Sequence, residues 1–203
     1  MDSRGRLVVF MMISMVLVAV PDALAQSLEF DVQRGLQYGQ HDGVQLTGDL
    51  YAPKAPGQYP ALVAVHGGGW QVGNVGFYQH WGPYLAQRGY AVFAIGYRLV
   101  RGGTNTYPAA VHDVRAGVQF LRSRGQAIKV DPDRIGLMGD SAGAHLAALV
   151  ALAGDKPPFV GAYKEDPYGS VSTRVKVCVG IYGVYDMTAQ WNHDLVHRPF
   201  DNI

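Results

Sequence analysis

The chain has 203 residues, a formal net charge of +1, 48% hydrophobic residues and 16% charged ones. That is material for one globular domain, neither disordered nor polarised in charge. A balance this close to neutral, with no run of like charge, removes the electrostatic case for nucleic acid or an anionic membrane surface as partner.

The first 25 residues have the pattern of an export signal. Arg4 and Arg6 give a positive start, Leu7 to Val20 is almost unbroken apolar sequence, and "ALA" at 23–25 has the small-x-small form of a cleavage site. The apolar run is 14 residues, shorter than the ~20 that a helix needs to span a bilayer. The expectation is a cleavable signal peptide over 1–25, a secreted or periplasmic product with no stable membrane span, and one domain over 26–203. Cys178 is the single cysteine, so no internal disulfide can form; its apolar surroundings, "VKVCVGIYGV", suit a buried small side chain.

Further along, strands and helices alternate. "GLQYGQ" and "VQLTGDLYAP" flank Asp42-Gly43, a hairpin signal. A buried strand is predicted over Ala61 to Val65, a helix over Phe77 to Arg88 stopping at Gly89, and another buried strand in "YAVFAIGYRL". Tyr107 to Arg124 has helical spacing, with Val111, Val114, Val118 and Leu121 on one face. A strand over Arg134 to Met138 runs into "GDSAG", and Ala142 to Ala153 is rich in strong helix formers. Residues 154–174 read as a loop excursion before a last strand in "RVKVCVGIYGV". Apolar strands separated by helices imply an α/β sandwich: a mostly parallel sheet covered on both faces, with the leading hairpin as an antiparallel edge.

Two glycine-rich segments carry the chemistry. "GDSAG", residues 139–143, has the form G-x-S-x-G and lies between a strand and a helix, the setting of a sharp turn that presents a nucleophilic serine. The bland alternative is a tight turn with an incidental serine. "HGGGW", residues 66–70, follows the Ala61–Val65 strand. Its glycines let backbone N–H groups approach a substrate oxygen, so Gly68 and Gly69, with the amide of Ala142, are the expected oxyanion hole. A phosphate loop would need a downstream Gly-Lys-Ser/Thr, which is absent.

With these segments, "GYRL" at 96–99, "YPAAVHDVRAGVQFLR" at 107–122, "DPDRIGLMGDSAGAHLAAL" at 131–149 and "YGVYD" at 182–186, the sequence resembles the α/β-hydrolase superfamily. Within it, the likeness is to esterases related to hormone-sensitive lipase, and to the bifunctional feruloyl and acetyl xylan esterase-like group. The resemblance implies a serine carboxylesterase with Ser141 as nucleophile, Gly68, Gly69 and Ala142 as oxyanion donors, and no cofactor or metal. It implies small or aromatic acyl esters as substrates, acylated polysaccharide among them. One departure is Ala144, where the family usually has glycine.

The resemblance also places the triad acid and histidine after two later strands, each strand–helix unit taking ~30 residues. Ser141 lies 62 residues before Ile203, so the chain is expected to be incomplete at its C-terminus. His66 and His145 are expected to be structural, His193 and His197 surface residues, and Asp113, Asp140 and Asp186 structural or anchoring. Esterase activity of these 203 residues alone is therefore expected to be weak. The alternative is an inactive hydrolase fragment or a non-enzymatic binding module.

Overall fold

A computed structural model describes residues 27–163 and 166–197; the expected signal peptide lies outside the described residues. The Asp42-Gly43 turn joins β1 (Phe30–His41) to β2 (Val44–Pro53), and β2 then pairs antiparallel with β4 (Ala91–Ile95). From β4 the sheet continues in parallel through β3 (Tyr59–Val65), β5 (Val130–Asp140) and β6 (Cys178–Ile181), in the order β1-β2-β4-β3-β5-β6. This is the expected mostly parallel sheet with an antiparallel hairpin at its edge.

Residue alternation along the central strands divides the core in two. Ala61, Val63 and Val65 of β3, with Phe93 and Ile95 of β4, face α2 (Ala109–Arg124) and α3 (Ala142–Ala153). Ala64 of β3, Val92 and Ala94 of β4 and Met138 of β5 pack with Ala86 of α1 (Trp81–Ala86) on the other face. Val111, Val114, Val118 and Leu121 are all buried, as their spacing predicts, but α2 buries every residue from Ala110 to Leu121.

Three elements depart from the sequence-based reading. The helix predicted from Phe77 breaks into a 3-10 turn at Val75–Tyr78 and the short α1. Pro83 explains the break: without an N–H it is tolerated in a first helical turn, but in a helix already running from Phe77 its ring would strike the preceding turn. Strand β6 has four residues, shorter than predicted: it pairs with β5 from Leu137–Cys178 to Asp140–Ile181 and stops where β5 ends. After it comes α4 (Met187–His197), which the sequence-based reading did not include.

The 154–174 excursion folds back onto α2. Gln119 donates its side-chain amide to the carbonyls of Gly169 (3.2 Å) and Val171 (2.7 Å), and Arg115 Nε donates to that of Gly154 (2.7 Å). These long polar side chains satisfy carbonyls that the irregular chain cannot pair with itself. Nearby, Asp113 is fully buried and sits at the centre of a charge network. It accepts from the Arg98 backbone (2.8 Å) and guanidinium (2.8 and 2.9 Å), and lies 2.7 Å from His41 Nδ1. Arg98 also pairs with Asp42 of the hairpin turn. Tyr163 stacks on His41 at 3.8 Å and donates to Asp42 (2.8 Å), tying the excursion to the same cluster. Burial pushes the neighbouring His112 down to about 4.

Asp113→Ala is expected to cost about 3–5 kcal/mol in urea unfolding, because it removes the one fully buried carboxylate of the network and leaves Arg98 with only the exposed Asp42 as counter-charge. A cost below about 1 kcal/mol would show that the network is energetically idle.

Candidate active site

The site begins with a backbone constraint. Ser141 stands between the last residue of β5 and the first of α3, with φ 50° and ψ −120°. A non-glycine residue rarely adopts such a conformation, at a cost of order 1–3 kcal/mol, and surrounding structure must enforce it. The two motif glycines do so by close approach. A Cβ on Gly139 would lie 2.5 Å from the Gly143 carbonyl group, and one on Gly143 would run into the carbonyl oxygen of Val65 at the end of β3. The Ser141 N–H is bonded to the Ile181 carbonyl of β6 (2.9 Å). The first unpaired amide of α3 is therefore that of Ala142, where the helix N-terminus favours negative charge.

Ala144, the departure from the usual glycine, is fully buried. Its methyl would be in ordinary contact, 3.7 Å, with a Cβ on Gly180 of β6, so the strand accepts the alanine on the helix without crowding; what the glycine at 180 makes room for is the Tyr185 hydroxyl.

The HGGGW loop is folded against this turn. A Cβ on Gly67 would collide with the Asp140 carboxylate and come within 3.2 Å of Ser141 Cβ. Gly68 (φ 116°) turns the chain sharply, its carbonyl accepting from both Gln71 and Val72 at 3.0 Å, and a side chain there would strike the Val72 carbonyl. Trp70 is anchored through its carbonyl, which accepts from Val100 N–H (2.9 Å). His66 is buried, stacks on Tyr97 at 4.4 Å, and has Nδ1 2.7 Å from the Gly67 carbonyl. Burial lowers its pKa, which keeps the ring neutral as a loop support. Tyr78 fastens the two segments together, donating to the Val65 carbonyl (3.0 Å) and Asp140 Oδ1 (3.2 Å). Asp140 thus faces Tyr78, and its role is positional.

A cavity of about 450 Å³ opens over the serine. Its lining brings together Gly69, Trp70, Ser141 and Ala142 from the two motifs with Met187 and Trp191 from α4. Of the predicted site residues, Ser141, Gly69 and Ala142 line the cavity, while Gly68 forms the turn behind it. No histidine among the described residues lines it. His145 meets Trp70 edge-on at 5.4 Å; burial lowers its pKa, and its Nδ1 has no hydrogen-bond partner. The rings of His193 and His197 lie 4.7 Å apart, tilted at 45° to each other, outside the cavity lining. Among the described residues no cluster of three His, Cys, Asp or Glu could hold a metal ion.

The α4 wall is the part that sequence reasoning missed, although two signals were available. Asp186 caps the helix, its Oδ1 accepting from Ala189 N–H (2.8 Å); an Asp in this position is a helix-start signal. The lining residues Met187, Gln190, Trp191, Asp194 and Leu195 fall at helical spacing.

Comparison with known proteins agrees with this geometry. Residues 48–200 match the family described as BD-FAE. The chain belongs to that family. It is 36% identical over 135 residues to a probable carboxylic ester hydrolase, LipM, of Mycobacterium tuberculosis, covering 65% of this chain and 29% of that protein. It is 34% identical over 164 residues to a probable isoprenylcysteine alpha-carbonyl methylesterase, ICMEL2, of Arabidopsis thaliana, covering 77% and 35%. Its fold superposes on the Est2 esterase of Thermogutta terrifontis with a TM-score of 0.66 and 27% identity, over 78% of this chain and 54% of that one. This BD-FAE chain thus spans about a third of the length of those curated relatives, and its architecture is that of the α/β-hydrolase esterases.

Gly143→Ala is expected to destabilise the protein by about 3 kcal/mol or more in urea unfolding, since the added methyl has only the β3 carbonyls to meet. A loss below about 1 kcal/mol would mean that the turn and β3 can move apart freely.

Proposed function

We propose that the protein is a serine carboxylesterase that acts through an acyl-enzyme on Ser141. The observation that supports this most is the shared cavity: Ser141, in its strained turn, and the residues Gly69 and Ala142 line one space. In this reading Ser141 Oγ attacks the ester carbonyl carbon, and the oxyanion accepts from the amides of Gly69 and Ala142. The alcohol departs with a proton, leaving the acyl group on Ser141, and water then releases the acid. Each donor of this kind typically contributes ~2.7–4 kcal/mol to transition-state stabilisation.

The serine proton needs a base, in such sites a histidine oriented by a carboxylate. With no described histidine lining the cavity, the reading assigns that role to residues outside the described lining. The substrate class is small or aromatic acyl esters, with acylated polysaccharide as one natural source. The proposal extends to export, on the strength of the basic and apolar pattern of residues 1–25.

Hydrolysis of p-nitrophenyl acetate by the 203-residue chain is expected to be weak, below the ~1 per second at the low end of usual enzyme turnover. It should fall to the buffer rate in Ser141→Ala and be unchanged in His193→Ala and His197→Ala. Undiminished hydrolysis by Ser141→Ala would overturn the assignment.

A further inference from the structure

The far wall of the cavity is unusual in its origin. Helix α4 buries none of its side chains, yet its residues at positions 187, 190, 191, 194 and 195 line the space over Ser141. Met187, Trp191 and Leu195 form an apolar stripe along that face, and they are 46%, 59% and 68% exposed. The two polar residues in the row are bonded to each other: Gln190 Nε2 donates to Asp194 Oδ1 at 2.9 Å. Across the cavity stands Trp70, and Val184 precedes the helix. Apolar surface of this extent, held open to water beside the one serine in a strained turn, is surface that a ligand can cover.

We propose that α4 is a specificity wall, and that Met187, Trp191 and Leu195 hold an extended apolar group of the ester. The proposal rests on the esterase reading for the word ester, and on the cavity alone for the apolar group. An ester that reacts here must set its carbonyl carbon at Ser141 and its carbonyl oxygen toward Gly69 and Ala142. Its remaining atoms then have the rest of the 450 Å³ to occupy, far more than an acetyl group fills. The preferred ligands within that substrate class are therefore the esters that carry an apolar group several carbons long on one side of the carbonyl. Each buried methylene is worth ~0.8 kcal/mol, about fourfold in affinity.

The test is a tryptophan-fluorescence titration of the full chain with unreactive methyl ketones, from 2-butanone to 2-octanone. Trp70 lines the cavity and remains as reporter in every variant. Affinity is expected to rise about fourfold per methylene. The slope should flatten in both Trp191→Ala and Met187→Ala, each binding 2-octanone about tenfold more weakly than the parent. Val196→Ala, on the same helix but outside the lining, should keep the parent slope.

No chain-length dependence in the parent, or a slope unaltered in both Trp191→Ala and Met187→Ala, would overturn the proposal. A parallel assay with p-nitrophenyl acyl esters and with alkyl acetates identifies which side of the ester carries the apolar group, by which series loses its length preference in Trp191→Ala. If the ketones follow the predicted slope and no ester is hydrolysed, the apolar site stands and the esterase reading fails.

Discussion

The contact on which the site depends is the approach of Gly143, in the first turn of α3, to the carbonyls of Val65 and His66 at the end of β3. No side chain fits between them. The absence of a Cβ at Gly143 and at Gly139 lets the helix start press directly on the strand end. That closeness holds Ser141 at a φ of 50° and also fixes where the HGGGW loop begins. One steric condition thus sets both the serine and the loop that carries Gly69. Tyr78 reinforces it by bridging Val65 and Asp140, one residue from each side of the junction.

The rest of the molecule is arranged so that this junction sits on rigid elements. β3 and β5 are paired in parallel from Ala61–Ile135 to Val65–Gly139, so the strand ends that carry the two motifs finish level. Parallel order at the centre of the sheet puts the loops after β3 and β5 at the same edge, and the carboxyl ends of such strands are where α/β folds build their sites. The buried network around Asp113 secures the hairpin turn, α2 and the excursion away from the junction. It stabilises the scaffold and leaves the cavity largely apolar.

Much of this was legible in the sequence because the determinants are local. The buried strands are short apolar runs, the Asp42-Gly43 hairpin has a turn-specific dipeptide, and the two glycine motifs sit directly after strands. Ser141, Gly69 and Ala142 converge in one cavity as the motif order suggests. What escaped was set by partners distant in sequence or by a single overriding residue. Pro83 divides a segment whose apolar spacing is helical throughout, and β6 stops at Ile181 because its neighbour ends at Asp140. Helix α4 carried its own signals, the Asp186 cap and a stripe at helical spacing, but that stripe faces a cavity rather than a core. The tight turn that the Gly68 carbonyl closes with Gln71 and Val72 is a matter of loop geometry that residue type alone does not specify.

The central claim is that Ser141 and the amides of Gly69 and Ala142 form one acyl-transfer site. Its most direct test is a crystal structure of the protein after prolonged reaction with an alkyl fluorophosphonate. The account predicts a phosphonyl group on Ser141 Oγ, with its oxygen ~2.7–3.1 Å from both amide nitrogens. A phosphonyl oxygen turned to solvent, or an adduct on any other residue, would contradict it.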